Sequence, residues 1–259
     1  LGMDSPGGGP SVADEIVRAR GPMVGPEIDR YRALGSLASR TTEAACRRLQ
    51  RGMTEDDARA IIEHDFAKLG VRVPVCLIAA DQRLTLRRHP IPKGEPIDQR
   101  VMVVVCAESK GLIVALTRIV SFEPPDEALA AKHGAVCRIE TAALAASQPG
   151  RTLGEVFNEI VAAYERTGYA EEWRLHHQGG TIGYAGRDAF AHPASRVAIQ
   201  ADQALAWNPS ITGTKSEDTF FLRSTGNVEP ITAPGPDWPG LDVEHGDLKL
   251  RRPDILVAG

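Results

Sequence analysis

The sequence has no apolar stretch long enough to cross a bilayer. Its longest apolar runs, such as VMVVVCA at residues 101–107, fall far short of the roughly 20 residues a spanning helix needs. No targeting segment is expected, which excludes a membrane role at this level and points to a cytoplasmic protein. It also lacks a cationic excess: 30 Lys and Arg against 34 Asp and Glu give a net charge of −4. Nothing in that balance argues for nucleic acid or an anionic membrane as partner. Cysteine is sparse. Cys46, Cys76, Cys106 and Cys137 lie about thirty residues apart with no CxxC pair, which excludes zinc-knuckle spacing and a disulfide framework and leaves buried free thiols. GGTIG at residues 179–183 is rich in glycine but lacks GxGxxG spacing, so no nucleotide site is expected.

What is present is an ordinary globular composition, 42% hydrophobic and 25% charged over 259 residues, enough for one domain or two closely packed halves. Residues 1–25 are rich in Gly, Pro and Ser and are expected to form a flexible tail. From Pro26 the pattern turns helical, with Ile28, Tyr31, Leu34, Leu37, Ala38, Ala45 and Leu49 at three- and four-residue steps. TEDDARAIIEHDFAKLG begins with Thr54 as N-cap, carries Asp57 three residues on, and stops at Gly70. VRVPVCLIAA and RVMVVVCAESKGLIVALTRIVSF then read as strands, the second stretch as two joined by the polar turn ESKG. A helix from about Asp126 to Ala146 follows, then a second begun by the capping box Thr152 and Glu155, and then further strands. This order predicts an α+β fold of two halves around a sheet-lined cavity over residues 26–232, with residues 233–259 as a C-terminal extension.

Four segments carry a resemblance: RGMTEDDARA, CAESKGLIVALTR, HHQGGTIG and KSEDTFFL. In that order and at those separations the chain, over roughly Ile28 to Val228, resembles the pita-bread family of methionine aminopeptidase, aminopeptidase P, prolidase and creatinase. The resemblance implies a catalytic domain alone and a homodimer. It also implies five metal ligands in the metallopeptidases, two Asp, one His and two Glu, holding paired divalent ions. Two adjacent cations need several carboxylates for charge balance. Here those positions fall on Val104, Ala115, Gly180, Asn208 and Glu217, so one ligand of five remains. No metal and no cofactor are therefore expected.

Other residues are the candidates for chemistry. His89, ahead of Pro90 and thus biased to extended backbone, is the candidate proton shuttle, its ordinary pKa of about 6.5 suiting exchange near neutrality. Within the family, creatinase is the relative that cleaves a C–N bond without metal by histidine acid/base work. Glu217 and His177 complete the catalytic candidates. Arg187, whose planar fork suits an anionic ligand group, Asn208, Trp207, Lys215 and His176 are the substrate-binding candidates, Lys215 also offsetting the charge of Glu217. Cys106 shares a strand face with Val104 and is expected to be an inert buried thiol.

Three functions emerge as expectations. The first is a metal-independent hydrolase of a C–N or amide bond in a small or dipeptide-like compound. The second is a catalytically inactive domain binding a peptide or protein. The third is a conventional metal-dependent aminopeptidase. A closed polar cavity holding His89, His177 and Glu217 would favour the first, and a filled apolar one the second.

Overall fold

The computed structural model describes residues 12–258. Its helices are α1 (Ala13–Arg20), α2 (Gly25–Cys46), α3 (Glu55–Lys68), the single turn α4 (Arg83–Leu86), α5 (Glu127–Ala146) and α6 (Leu153–Arg166). The longer strands are β1 (Arg72–Ala80), β2 (Arg100–Ser109) and β3 (Leu112–Ser121) in the first half. The second half carries β4 (Gly179–Ile182), β5 (Ala189–Phe190), β6 (Gln203–Trp207), β7 (Ser210–Ile211), β8 (Thr214–Lys215), β9 (Asp218–Leu222) and β10 (Val228–Pro230). The chain closes with β11 (Gly240–His245), β12 (Leu248–Pro253) and β13 (Leu256–Val257). No helix among the described residues is long and apolar enough to cross a membrane.

Local chemistry sets the helix boundaries. Thr54 Oγ1 accepts the Asp57 amide at 3.1 Å while Asp57 Oδ2 accepts the Thr54 amide at 2.8 Å, a reciprocal cap that starts α3. Thr152 and Glu155 repeat the arrangement at α6, and Asp126 accepts the Leu129 amide at 2.7 Å to begin α5. Expectation and structure agree at these three starts. They differ at the N-terminus, where part of the stretch expected as a flexible tail over residues 1–25 is helical. Ala13–Arg20 forms α1, the Arg18 carbonyl accepts from Gln200, and the Met23 amide bonds to the Asp202 carbonyl. The rest of that expected tail lies outside the described residues.

Two sheets form the frame. One runs β1-β2-β3-β13 and the other β10-β9-β6-β4-β5. Strand β2 is buried at every position from Val101 to Ala107, which is why its sequence is almost continuously apolar. One face of the first sheet packs with α2 and α3 around Tyr31, Ile62 and Phe66, and its other face carries Met102, Val104 and Ile119. The second sheet lies against α5 and α6 around Ile160, Tyr164 and Phe220. The sheets meet where β3 passes β9. There Thr219 Oγ1 accepts the Ala115 amide at 2.7 Å and donates to the Ala115 carbonyl at 2.9 Å, and the Thr117 amide donates to the Glu217 carbonyl.

The C-terminal extension is built into the core. β11 and β12 form a hairpin, β13 adds parallel to β3, and Arg252 is fully buried. Its guanidinium donates to Glu140 Oε2 at 2.6 Å and to Asp218 Oδ2 at 2.9 Å. Asp218 Oδ1 accepts from Arg118 at 3.0 Å, and Arg118 donates in turn to Glu43 at 3.0 Å. Two arginines and three carboxylates thus tie α2, α5, β3, β9 and β12 together. Removing one partner of such a network leaves an uncompensated buried charge, at a cost of about 3–5 kcal/mol. Arg252→Ala should lose stability on that scale in urea unfolding, although Arg252 lies 112 residues from Glu140 in sequence. A loss below about 0.5 kcal/mol, the size of an ordinary surface substitution, would contradict this role.

Candidate functional site

The seam between the sheets opens into a cavity of about 270 Å³. Its apolar wall is Val75 and Leu77 from β1, Val104 and Cys106 from β2, and Phe190 from β5. Its polar wall is His89, His177, Arg187, Asn208, Lys215 and Glu217. Six of the eight residues expected to bind or catalyse therefore line one chamber.

Glu217 is the electrostatic centre. Its carboxylate accepts from Lys215 Nζ at 2.7 Å, from Arg187 at 2.8 Å and from Thr117 Oγ1 at 2.8 Å, and all three ionic side chains are at most 5% exposed. Burial opposes its ionisation, but Lys215 and then Arg187 outweigh burial and hold the carboxyl far below the usual range. Lys215 and Glu217 meet, as their alternation predicts, across the junction of β8 and β9.

The histidines form a stack. The His89 ring centroid lies 4.5 Å from that of His176 and 5.3 Å from that of His177, and His176 lies 4.4 Å from His177. Phe190 meets His177 edge-on at 5.0 Å. His89 sits exposed at the rim on a clamped loop. The Ile78 amide holds the Pro90 carbonyl at 3.1 Å, while Arg88 pairs with Glu172 and donates to Thr212 Oγ1 at 2.8 Å. His176 is buried beneath it, and neither of its ring nitrogens has a partner among the described residues. Burial first, and Lys215 second, lower the pKa of both His89 and His176, the latter to about 2. Burial and Arg187 lower His177 to about 3. All three imidazoles are thus neutral at neutral pH.

The next residue along the chain, Gln178, fixes the position of His177. Its side chain reaches back to the His176 carbonyl at 2.7 Å and lies 3.0 Å from the Tyr164 hydroxyl, and its backbone carbonyl accepts the Asn208 amide. The glycines of GGT serve close strand approach rather than phosphate binding. A Cβ at Gly179, whose φ is 103°, would stand 2.2 Å from the Ala206 oxygen, and one at Gly180 would stand 2.0 Å from the Ala189 oxygen.

Whether this site suits paired metal ions is decided by its donors. Val104 and Ala115 offer no ligand atom, and at Gly180 strand β5 occupies the room a side chain would need. Asn208 contributes a neutral amide, and Glu217 is already neutralised by two side-chain cations. A dinuclear centre does not fit these residues.

Two candidates lie elsewhere. Trp207 is fully buried in the core against α5, its Nε1 donating to Ser147 Oγ at 3.0 Å, because neighbouring positions on a strand face opposite ways and Asn208 takes the cavity side. His176 belongs to the stack but does not line the chamber. Cys106 does line it, with burial, then Glu217, pushing its thiol up to about 11, so it carries no thiolate at neutral pH. Sequence reasoning passed over Thr117 and Arg88, which orient Glu217 and His89. Nothing in single-sequence spacing distinguishes either from a surface residue.

Known proteins bear on this geometry. The sequence profile described as metallopeptidase family M24 matches residues 29–235. Among solved structures, the X-Pro aminopeptidase of Thermotoga maritima MSB8 superposes with a TM-score of 0.77 at 18% identity, over 87% of this chain and 66% of its own. The prolidase of Pyrococcus furiosus gives 0.78 at 17% identity, over 87% and 69%. The N-terminal domain of the FACT complex subunit SPT16 from Cicer arietinum (chickpea) gives 0.72 at 12% identity, over 87% and 62%. The chain thus spans about two thirds of the length of these structures, and at such identities the likeness is one of fold. No curated protein matches the sequence.

Buried neutral histidine makes the fold sensitive to acid. His176 has an unfolded-state pKa near 6.5 and a folded value of about 2, so below pH 6.5 the unfolded chain binds the extra proton. Its contribution is intact above that pH and is lost as pH falls, at up to ~1.4 kcal/mol per pH unit. Urea midpoints taken from pH 7.5 to 5.0 should therefore drop more steeply for the natural protein than for His176→Leu. Parallel curves would contradict the assignment.

Proposed function

The chain belongs to metallopeptidase family M24, and from that premise we propose that it hydrolyses a C–N or amide bond in a small molecule without paired metal ions. The observation that carries this reading is the chamber itself, a small polar-and-apolar cavity in which His89, His177, Arg187, Lys215 and Glu217 converge. Its volume of about 270 Å³ lies just under the ~300–1,000 Å³ usual for small-molecule sites, which suits a metabolite-sized compound better than a length of peptide. The cavity between the sheets is unfilled and pairs a polar wall with an apolar one.

Each residue has a role its chemistry permits. His89 is neutral and reaches solvent at the rim, so it can take a proton from an attacking water and return it to the departing nitrogen. One water is consumed, the C–N bond breaks, and the imidazole ends as it began. Glu217 is held too acidic to accept that proton and instead fixes Lys215 and Arg187 in place. His177 and Asn208 present neutral polar edges that orient the substrate.

A positioned base contributes about 10²–10⁴-fold to rate. Xaa-Pro dipeptides and N-acyl or amidino carboxylates, assayed for amine release after chelator treatment, should include a compound the natural protein turns over. His89→Ala should slow that turnover by at least about 100-fold. Turnover that appears only with added Mn²⁺ or Co²⁺, and that survives His89→Ala, would reject the proposal.

A further inference from the structure

Three imidazoles face one another with ligand-capable atoms within 4.8 Å, an arrangement that could hold a metal ion. The charges around them decide differently. Among the described residues, the groups turned toward the stack are the cations Lys215 and Arg187 and the single carboxylate Glu217, against neutral histidines. Both cations share that one carboxylate, so the chamber keeps an uncompensated positive charge inside low-dielectric walls. A divalent ion among the histidines would meet that charge with no free carboxylate to balance it. An anion would be drawn in by the same field.

The donor atoms left open agree, with Asn208 Oδ1 an open acceptor in the same wall. The Arg187 side chain is 5% exposed, gives one amino group to Glu217 and another to the Gly186 carbonyl, and its buried Nε has no acceptor among the described residues. His177 Nδ1 likewise lacks a partner, and a neutral imidazole always has one N–H to donate. Lys215 spends one N–H direction on Glu217 and has three. Opposite these donors stands the apolar wall of Val75, Leu77, Val104, Cys106 and Phe190.

We propose that the chamber binds a small amphipathic anion, its negative oxygens seated among Lys215, Arg187 and the histidine N–H groups and its apolar end against the wall of β1 and β2. The inference rests on the reading of the cavity as a small-molecule site and names the class of compound that site takes. Carboxylate and phosphate share the required chemistry. The apolar wall accommodates a short branched hydrocarbon beside either.

The test uses the whole protein and simple probes. Thermal shift and calorimetry are run with 3-methylbutanoate, its neutral isostere 3-methylbutanamide, inorganic phosphate, and ZnCl₂ or CoCl₂. The carboxylate should raise the melting temperature and bind at least tenfold more tightly than the amide. Arg187→Gln and Lys215→Met should weaken it at least tenfold and weaken the amide less. If either variant fails to fold, the comparison of carboxylate with amide on the natural protein still decides. Tighter binding of phosphate would support the anion and identify its headgroup. Equal binding of acid and amide, no stabilisation by either anion at 50 mM (about a thousandfold above common protein concentrations), or micromolar binding of Zn²⁺ or Co²⁺ alone would overturn the inference. Carboxylate binding without any turnover would reject only the hydrolase. Turnover of a neutral substrate without anion binding would reject only the present inference.

Discussion

One buried carboxylate organises this molecule. Glu217 stands where the two sheets meet and is held by Lys215, Arg187 and Thr117, three groups from three different segments. Isolated, a carboxylate at 2% exposure would be driven to take up a proton. With two cations against it, it stays ionised and fixes both of them at the cavity wall. The next residue, Asp218, turns the other way into a second ionic network with Arg118 and Arg252. A single dipeptide thus supplies charge to the chamber on one side and to the core on the other.

The proposed function rests on that division. The chamber side offers cations, neutral imidazoles and an apolar wall. The core side anchors the start of β9 through Glu140 and Arg252, and Glu217 immediately precedes that strand. The two networks are adjacent in sequence yet separate in role. The C-terminal hairpin, outside the span matched by the family profile, supplies the arginine that completes the second one.

Much of the fold was legible because its signals are local. Thr54 with Asp57, and Thr152 with Glu155, mark helix starts within four residues, and the apolar hairpin of β2 and β3 shows itself by composition. The pairing of Lys215 with Glu217 was likewise readable from a two-residue spacing. Trp207, a substrate-binding candidate by sequence, does not line the cavity, because it neighbours Asn208 and alternation sends the two to opposite faces. The roles of Arg252, Arg88 and Thr117 were not legible, since each depends on a partner 84 or more residues away. Charged side chains look alike in sequence until the fold decides which of them lose their water.

The central claim is that side-chain cations have taken the place of metal ions around Glu217. Equilibrium dialysis of the purified protein against Mn²⁺ or Co²⁺, followed by elemental analysis, tests it directly. The account predicts no stoichiometric retention of either ion. Two ions held per chain would contradict it.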